Sequence, residues 1–542
     1  MLPRIAALPL VLIFLLPLGL SLALLFPGFT DVPAFAALFA HPQFWSALRL
    51  TLFTGLASTV LALACALMII AGRLNKPPQA GAMLALPHLS LAIGLSLLIM
   101  PAGLLARIIA VPMGWSSPPQ WVTTQDAHGL ALTAALVLKE TPFLVWAFAS
   151  LLNRDDLRRS FAGQRAVAKS LGHGAMSVFL RVIAPQLLER SLWPLIAVFA
   201  YSLTVVDMAI IIGPAQPPTL ALLAWSDLGD AEPGRAARGA AAVLALCVGI
   251  ILLLLVVGLC IRLARPHIRI WLSGPPTTGL DKISFLTQIW GFWKASYAVV
   301  VILLLMQSVS GLWPFPALLP DSLSLAAWQR IGSDAGPVIT SLVLALATAT
   351  VALAAAVAWF EAMPQRHDRI MLWLSAFLLC LPSLLIGLGQ YRMFLALGIT
   401  GTAAAMFLAH VLPVAAYVFI MLQGPYRGFD RRWLAIAEGL GKGATGFLVQ
   451  VKWPLLKAAL LSAFAVGFAV SIAQYVPAQL AAAGRFSTLP MEAVTLASGG
   501  NRALTASFGA ALTALPLAVF LLASLFSRPR WGGHKPGHGS RR

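Results

Sequence analysis

Few side chains in this sequence could do chemistry, and those few stand in costly places. Lys139-Glu140-Thr141-Pro142 interrupts one apolar run, and Ala409-His410-Val411 with Pro413 lies at about the same level of a later one. Asp207 interrupts another run and is matched near Gln474-Tyr475. A charge held in lipid is expensive, so such groups face a cavity or a partner. Glu140, Asp207, His410 and Gln474 are therefore candidates to line a pathway. The plainer alternative for Lys139 and Glu140 is packing near an interface. Glu361 is expected at an inner helix end, and Arg392 near an outer interface, where its head can snorkel.

These residues do not compose a catalytic site. No Gly-x-x-x-x-Gly-Lys-Ser/Thr phosphate loop occurs, so the chain is not expected to bind ATP productively by itself. The nine histidines are scattered without compact ligand spacing, so neither a metal nor another cofactor is expected. Cys65, Cys247, Cys260 and Cys380 lie in or beside apolar runs and read as small buried side chains.

The elements that must carry these residues follow from composition. The 542-residue chain is 60% hydrophobic and only 10% charged. Repeated apolar runs are long enough to cross a bilayer, and lipid offers the backbone no hydrogen-bond partners, so each run must be helical. A membrane β-barrel would need alternating segments, which are absent. The net charge of +19 sits in short gaps between runs, a distribution that fits the positive-inside rule and not nucleic-acid binding. Anionic membrane lipid and a cytosolic partner are the expected counter-surfaces.

Twelve spans are predicted, at roughly 5–26, 46–71, 81–101, 129–151, 188–212, 239–261, 293–313, 337–359, 370–390, 402–422, 458–480 and 503–526. The first run follows Arg4, lacks a convincing cleavage site and reads as a retained span. Gaps with Arg73 and Lys76, with Arg262 to Lys282, and the tail with Arg528, Arg530, Lys535, Arg541 and Arg542 should lie inside, which puts both termini in the cytoplasm. Acidic, proline-rich gaps around Asp31, Asp227 and Asp334 should lie outside. Arg107 is placed on a re-entrant or interfacial helix. The expected fold is an all-α polytopic membrane protein in two parallel six-helix halves. Residues 1–262 form the first half, 263–292 a cytoplasmic linker, 293–528 the second half and 529–542 a basic tail.

One segment occurs twice in the inner gaps. Ala166-Val167-Ala168-Lys169-Ser170-Leu171-Gly172 leads to Pro185, and Ala435-Ile436-Ala437-Glu438-Gly439-Leu440-Gly441 leads to Pro454. Each pair of matched positions is 269 residues apart, which points to duplication and fusion. A short helix is expected from Arg165 to Leu171 and from Leu434 to Leu440, stopped by the glycines. Ala166 and Ala168 leave little bulk, so another surface could approach. Two such helices on a pseudo-twofold bundle would offer a symmetric motor two docking points.

These segments resemble the EAA loop of ATP-binding-cassette importer permeases, whose pattern is approximately Glu-Ala-Ala-x-x-x-Gly followed by Leu-Pro. Here the acidic position is Ala166 in one copy and Ala435 in the other, and Glu438 stands three residues later. The resemblance covers nearly the whole chain and is closest to the fused permeases of the iron(III) and thiamine group. It implies a coupling helix that docks on an ATPase subunit, with Ala166, Ala168, Leu171, Gly172 and Pro185, then Ala435, Ala437, Leu440, Gly441 and Pro454, as the coupling residues. It further implies two copies of a cytoplasmic ATP-binding subunit that uses the ATP, a periplasmic solute-binding protein, and a bacterial inner-membrane location. A thiamine-like cation or iron(III) is the implied solute. A twelve-span transporter driven by an ion gradient, with Glu140, Asp207 and His410 as ion sites, is the alternative, and a lipid-handling scaffold a third.

Overall fold

A computed structural model describes residues 3–275, 286–430 and 432–527. Pro276, Lys282, Arg431, the tail residues from Arg528 onward, and with them His534 and His538, lie outside the described residues. The described chain is helical and contains no strand beyond an antiparallel bridge between Ser310 and Leu323.

In the first half, α1 is Arg4–Thr30, α2 Phe44–Gly72, α3 His88–Ile99 and α4 Leu130–Leu152. Then come α5 Asp155–Ser170, α6 Leu192–Thr204, α7 Asp207–Ile212, α8 Leu220–Leu228 and α9 Pro233–Leu272. The second half begins with α10 Leu286–Ser308, α11 Gly336–Ala362, α12 Asp368–Cys380 and α13 Ser383–Ala396. It continues with α14 Ala403–Arg427, α15 Arg432–Gly439, α16 Lys457–Ile472, α17 Val476–Ala482, α18 Leu489–Ser498 and α19 Arg502–Ser527. Nine helices among the described residues are long and apolar enough to span a membrane, and three bent pairs bring the number to twelve.

Several predicted runs are broken. The run 188–212 stops at Thr204, because Thr204-Val205-Val206 is β-branched throughout and Val205 is extended. The run 458–480 stops at Ile472, and Pro477, which cannot donate a backbone hydrogen bond, opens the next helix. The run 370–390 turns by 102° between α12 and α13, at Leu381-Pro382. Pro87 likewise caps α3 after a break from the short helix Gly81–Leu84. Conversely α9 overshoots its predicted end and continues through Pro266 to Leu272, just before Gly274-Pro275. The segment 263–292 is thus helical up to Leu272 and again from Leu286.

The halves repeat each other in detail. The backbone N–H of Leu220 donates to Thr51 Oγ1 at 2.7 Å, and that of Leu489 to Ser341 Oγ at 2.9 Å. These bonds pin the short helices α8 and α18 to α2 and α11. The halves also exchange their first helices. α1 packs on α11 and α13 of the second half, while α10 packs on α2 and α3 of the first as well as on α19 of its own half. Leu10 and Phe14 share a buried cluster with Ala352, Ala356 and Phe419. Glycines permit both crossings: a Cβ at Gly94 would lie 2.6 Å from Val300 Cγ1 on α10, and one at Gly389 2.9 Å from the Ser21 carbonyl on α1.

Candidate coupling segments and membrane pathway

Both duplicated segments end in the same backbone device. Gly172 has φ +86° and Gly441 φ +72°. The Gly172 N–H donates to Lys169 O and the His173 N–H to Ala168 O; the Gly441 N–H donates to Glu438 O and the Lys442 N–H to Ala437 O. This is a Schellman cap, which needs a left-handed residue and so favours glycine. Gly174 and Gly443 then start one further turn. Next comes a wide π turn, Phe179–Ile183 or Leu448–Lys452. Pro185 and Pro454 follow at the start of the next helix, and with no N–H they leave the preceding carbonyls to bond elsewhere. The helix of the first segment is longer than the predicted Arg165 to Leu171, because α5 begins at Asp155, where Asp155 and Asp156 suit a helix N-terminus.

Side-chain exposure divides the segment into two faces. Ala166 and Ala435 are exposed, but Ala168 and Ala437 are buried against the bundle, at 7% and 2%. Their small size serves internal packing. The outward face carries Val167 and Leu171, 61% and 64% exposed, and Ile436 and Leu440, 53% and 72% exposed. These are matched apolar pairs four residues apart, on one helical face at the same end of each half.

The second segment is braced by charge. Lys452 pairs with Glu361 at 2.5 Å, and Tyr426 donates to the same carboxylate. Arg427 makes two hydrogen bonds to the buried Asp368, at 2.6 and 2.8 Å, and stacks on Phe360.

Within the membrane part, two predicted pathway residues meet through partners that the sequence reading passed over. Glu140 Oε1 lies 3.4 Å from His88 Nε2, and the His88 ring lies 4.6 Å from that of Tyr201. Tyr201 donates to Asp207 Oδ1 at 3.3 Å. Asp207 starts the short helix α7, not the middle of a span. Lys139 donates to the Leu86 carbonyl. Gln474 sits in the break between α16 and α17 and borders a cavity of about 150 Å³ with Tyr201, Thr204, Ser383, Pro382 and Pro413. That cavity lies between the halves. His410 stands apart: its Nδ1 lies 2.9 Å from Ser471 Oγ, to which Thr348 donates at 3.2 Å. Arg107 is buried at the opposite end from the duplicated segments, where four bonds to the carbonyls of Ala102, Trp313, Pro314 and Ala317 hold it. Among the described residues no group of histidine, cysteine and carboxylate side chains could hold a metal ion. A signal for His88 was available: Leu86-Pro87-His88 and Leu381-Pro382-Ser383 open matching helices 295 residues apart.

Helical spans in duplicate, exchanged first helices and paired Schellman-capped projections define a two-halved transport permease. The chain belongs to the ATP-binding-cassette transporter permeases: it is 32% identical over 504 residues to the inner membrane ABC transporter permease protein YnjC of Escherichia coli K12, covering 92% of this chain and 91% of that one. It is also similar to the spermidine/putrescine transport system permease protein PotC of Haemophilus influenzae, with 24% identity over 147 residues, 27% of this chain and 57% of that one. No family model matches.

Proposed function

We propose that this chain is the membrane-spanning permease subunit of an ATP-driven importer in a bacterial inner membrane, with both termini in the cytoplasm. A small solute arrives on a periplasmic binding protein. Two copies of a cytoplasmic ATP-binding subunit dock on the projections, one on Val167 and Leu171, the other on Ile436 and Leu440. ATP is bound and hydrolysed on those subunits; this chain carries no cofactor and performs no catalysis. The observation that carries the reading is the duplicated projection, with its cap, its inward alanine and its outward apolar pair repeated residue for residue. Movement of the two ATPase subunits towards each other would shift α5 and α15 and tilt the spans that follow Pro185 and Pro454.

The solute is a thiamine-like organic cation or complexed iron(III). The carboxylates of Glu140 and Asp207, flanked by Tyr201 beside the cavity between the halves, support a cationic solute. The polyamine named for the Haemophilus relative is also an organic cation. Gln474 and His410 are assigned to the same pathway, Gln474 at the cavity and His410 apart from it, bonded to Ser471.

The test is co-expression with the cognate ATPase and binding protein, followed by reconstitution. Replacing Leu171 and Leu440 together by Asp should abolish co-purification of the ATPase and solute uptake. An intact, fully coupled complex from that variant overturns the docking assignment. For the pathway, Glu140→Gln should lower uptake while leaving ATPase binding unchanged; unchanged uptake removes Glu140 from it.

A further inference from the structure

The two projections differ in one respect that duplication does not explain. Beneath the first lies a cavity of about 500 Å³, where the end of α2, the projection and the start of α10 meet. Its lining includes Arg73, Lys76, Arg165 and Lys169 and, among the described residues, no carboxylate. Asp155 and Asp156, the acids of this segment, are engaged with Arg158 and Arg154 instead. Arg165 Nη1 donates to Asn75 Oδ1 at 2.7 Å, and Arg73 Nη2 to the Thr287 carbonyl at 3.1 Å. Neither bond supplies negative charge. Arg73 Nε is buried and has no hydrogen-bond partner among the described residues. In the second half the matched positions are Leu434 for Arg165 and Glu438 for Lys169, and the cap of α11 is Met363 where that of α2 is Arg73. The nearby cation Lys452 already holds Glu361 there.

Four cations lining one cavity with no counter-charge among the described residues repel one another, and an anion relieves that cost. We propose that this cavity is a binding site for a phosphate-bearing anion, one per chain, at the inner end of the first half. Its place at the ends of three membrane-associated elements suits the phosphodiester of an anionic phospholipid, since basic clefts between spans on the cytoplasmic side collect such headgroups. Bound there, the phosphate ties the first projection, through Arg165 and Lys169, to the span end, through Arg73 and Lys76. The second projection is tied to the end of α11 by the pair of Lys452 with Glu361 instead.

The experiment uses the full-length chain, purified gently and analysed by native mass spectrometry after incubation with phosphatidylglycerol, with phosphatidylethanolamine, or with inorganic phosphate alone. One phosphatidylglycerol per chain should remain bound where phosphatidylethanolamine does not. Arg73→Gln with Lys76→Gln should weaken that retention roughly thirty-fold, while Arg73→Lys keeps it. Retention of inorganic phosphate, competing lipid away, assigns the site to a soluble phosphate instead. Equal retention of both lipids with no effect of the double variant, or no retained anion of either kind, overturns the proposal. Unchanged circular dichroism of the double variant separates lost binding from lost folding.

Discussion

At Gly441 the backbone is left-handed, yet a side chain there would meet open space. Any cost of substitution is therefore conformational. Gly441→Val should cost about 1–2 kcal/mol and uncouple the second projection, whereas Gly441→Asn, which tolerates this conformation, should keep most coupling. ATPase stimulation by the binding protein reads the difference. Arg427 makes the opposite kind of case. Asp368 is 2% exposed and depends on it. Arg427→Met leaves that carboxylate buried and unpaired and should cost about 3–5 kcal/mol, seen as a lowered melting temperature in detergent. Arg427→Met combined with Asp368→Asn should recover part of the loss.

Among the elements, the exchanged helices make the sharpest demand. α10 can lie on α3 only because Gly94 has no side chain to strike Val300. Gly94→Ala should therefore destabilise by about 1–3 kcal/mol through overpacking, and Val300→Ala in the same chain should restore part of it. Thermal unfolding monitored by fluorescence size exclusion gives both values. Independent, additive losses would show that the two residues do not share this contact. Gly389 beneath Ser21 plays the same part for α1, so the two crossings are built alike. The breaks at Val205 and Gln474 matter differently: they turn the chain beside the cavity, so Asp207 and Gln474 sit at helix ends.

The whole molecule is two halves that are each incomplete. Each packs its first helix on the other, α1 in one buried cluster and α10 in another. Expressed separately, residues 1–275 and 286–542 should each be recovered poorly, while co-expression should return a stable complex. Deleting α1 should destabilise the second half more than the first, which limited proteolysis of the two halves would show. Equal resistance of each half alone to heat and protease would contradict the interdependence.

Apolar length and scarce charge dictated helices in a membrane, because lipid leaves the backbone no other way to satisfy its hydrogen bonds. The matched Ala-x-Ala-x-x-Leu-Gly segments, 269 residues apart, revealed the duplication and both projections, since a glycine stop after a helical stretch is a local signal. Local signals could not say that Ala168 and Ala437 turn inward, that His88 and Tyr201 join Glu140 to Asp207, or that four cations of the first half gather in one cavity. Those are contacts between residues distant in the chain. They depend on which helix lies against which, and it is packing around Gly94 and Gly389, with the exchange of α1 and α10, that settles the arrangement.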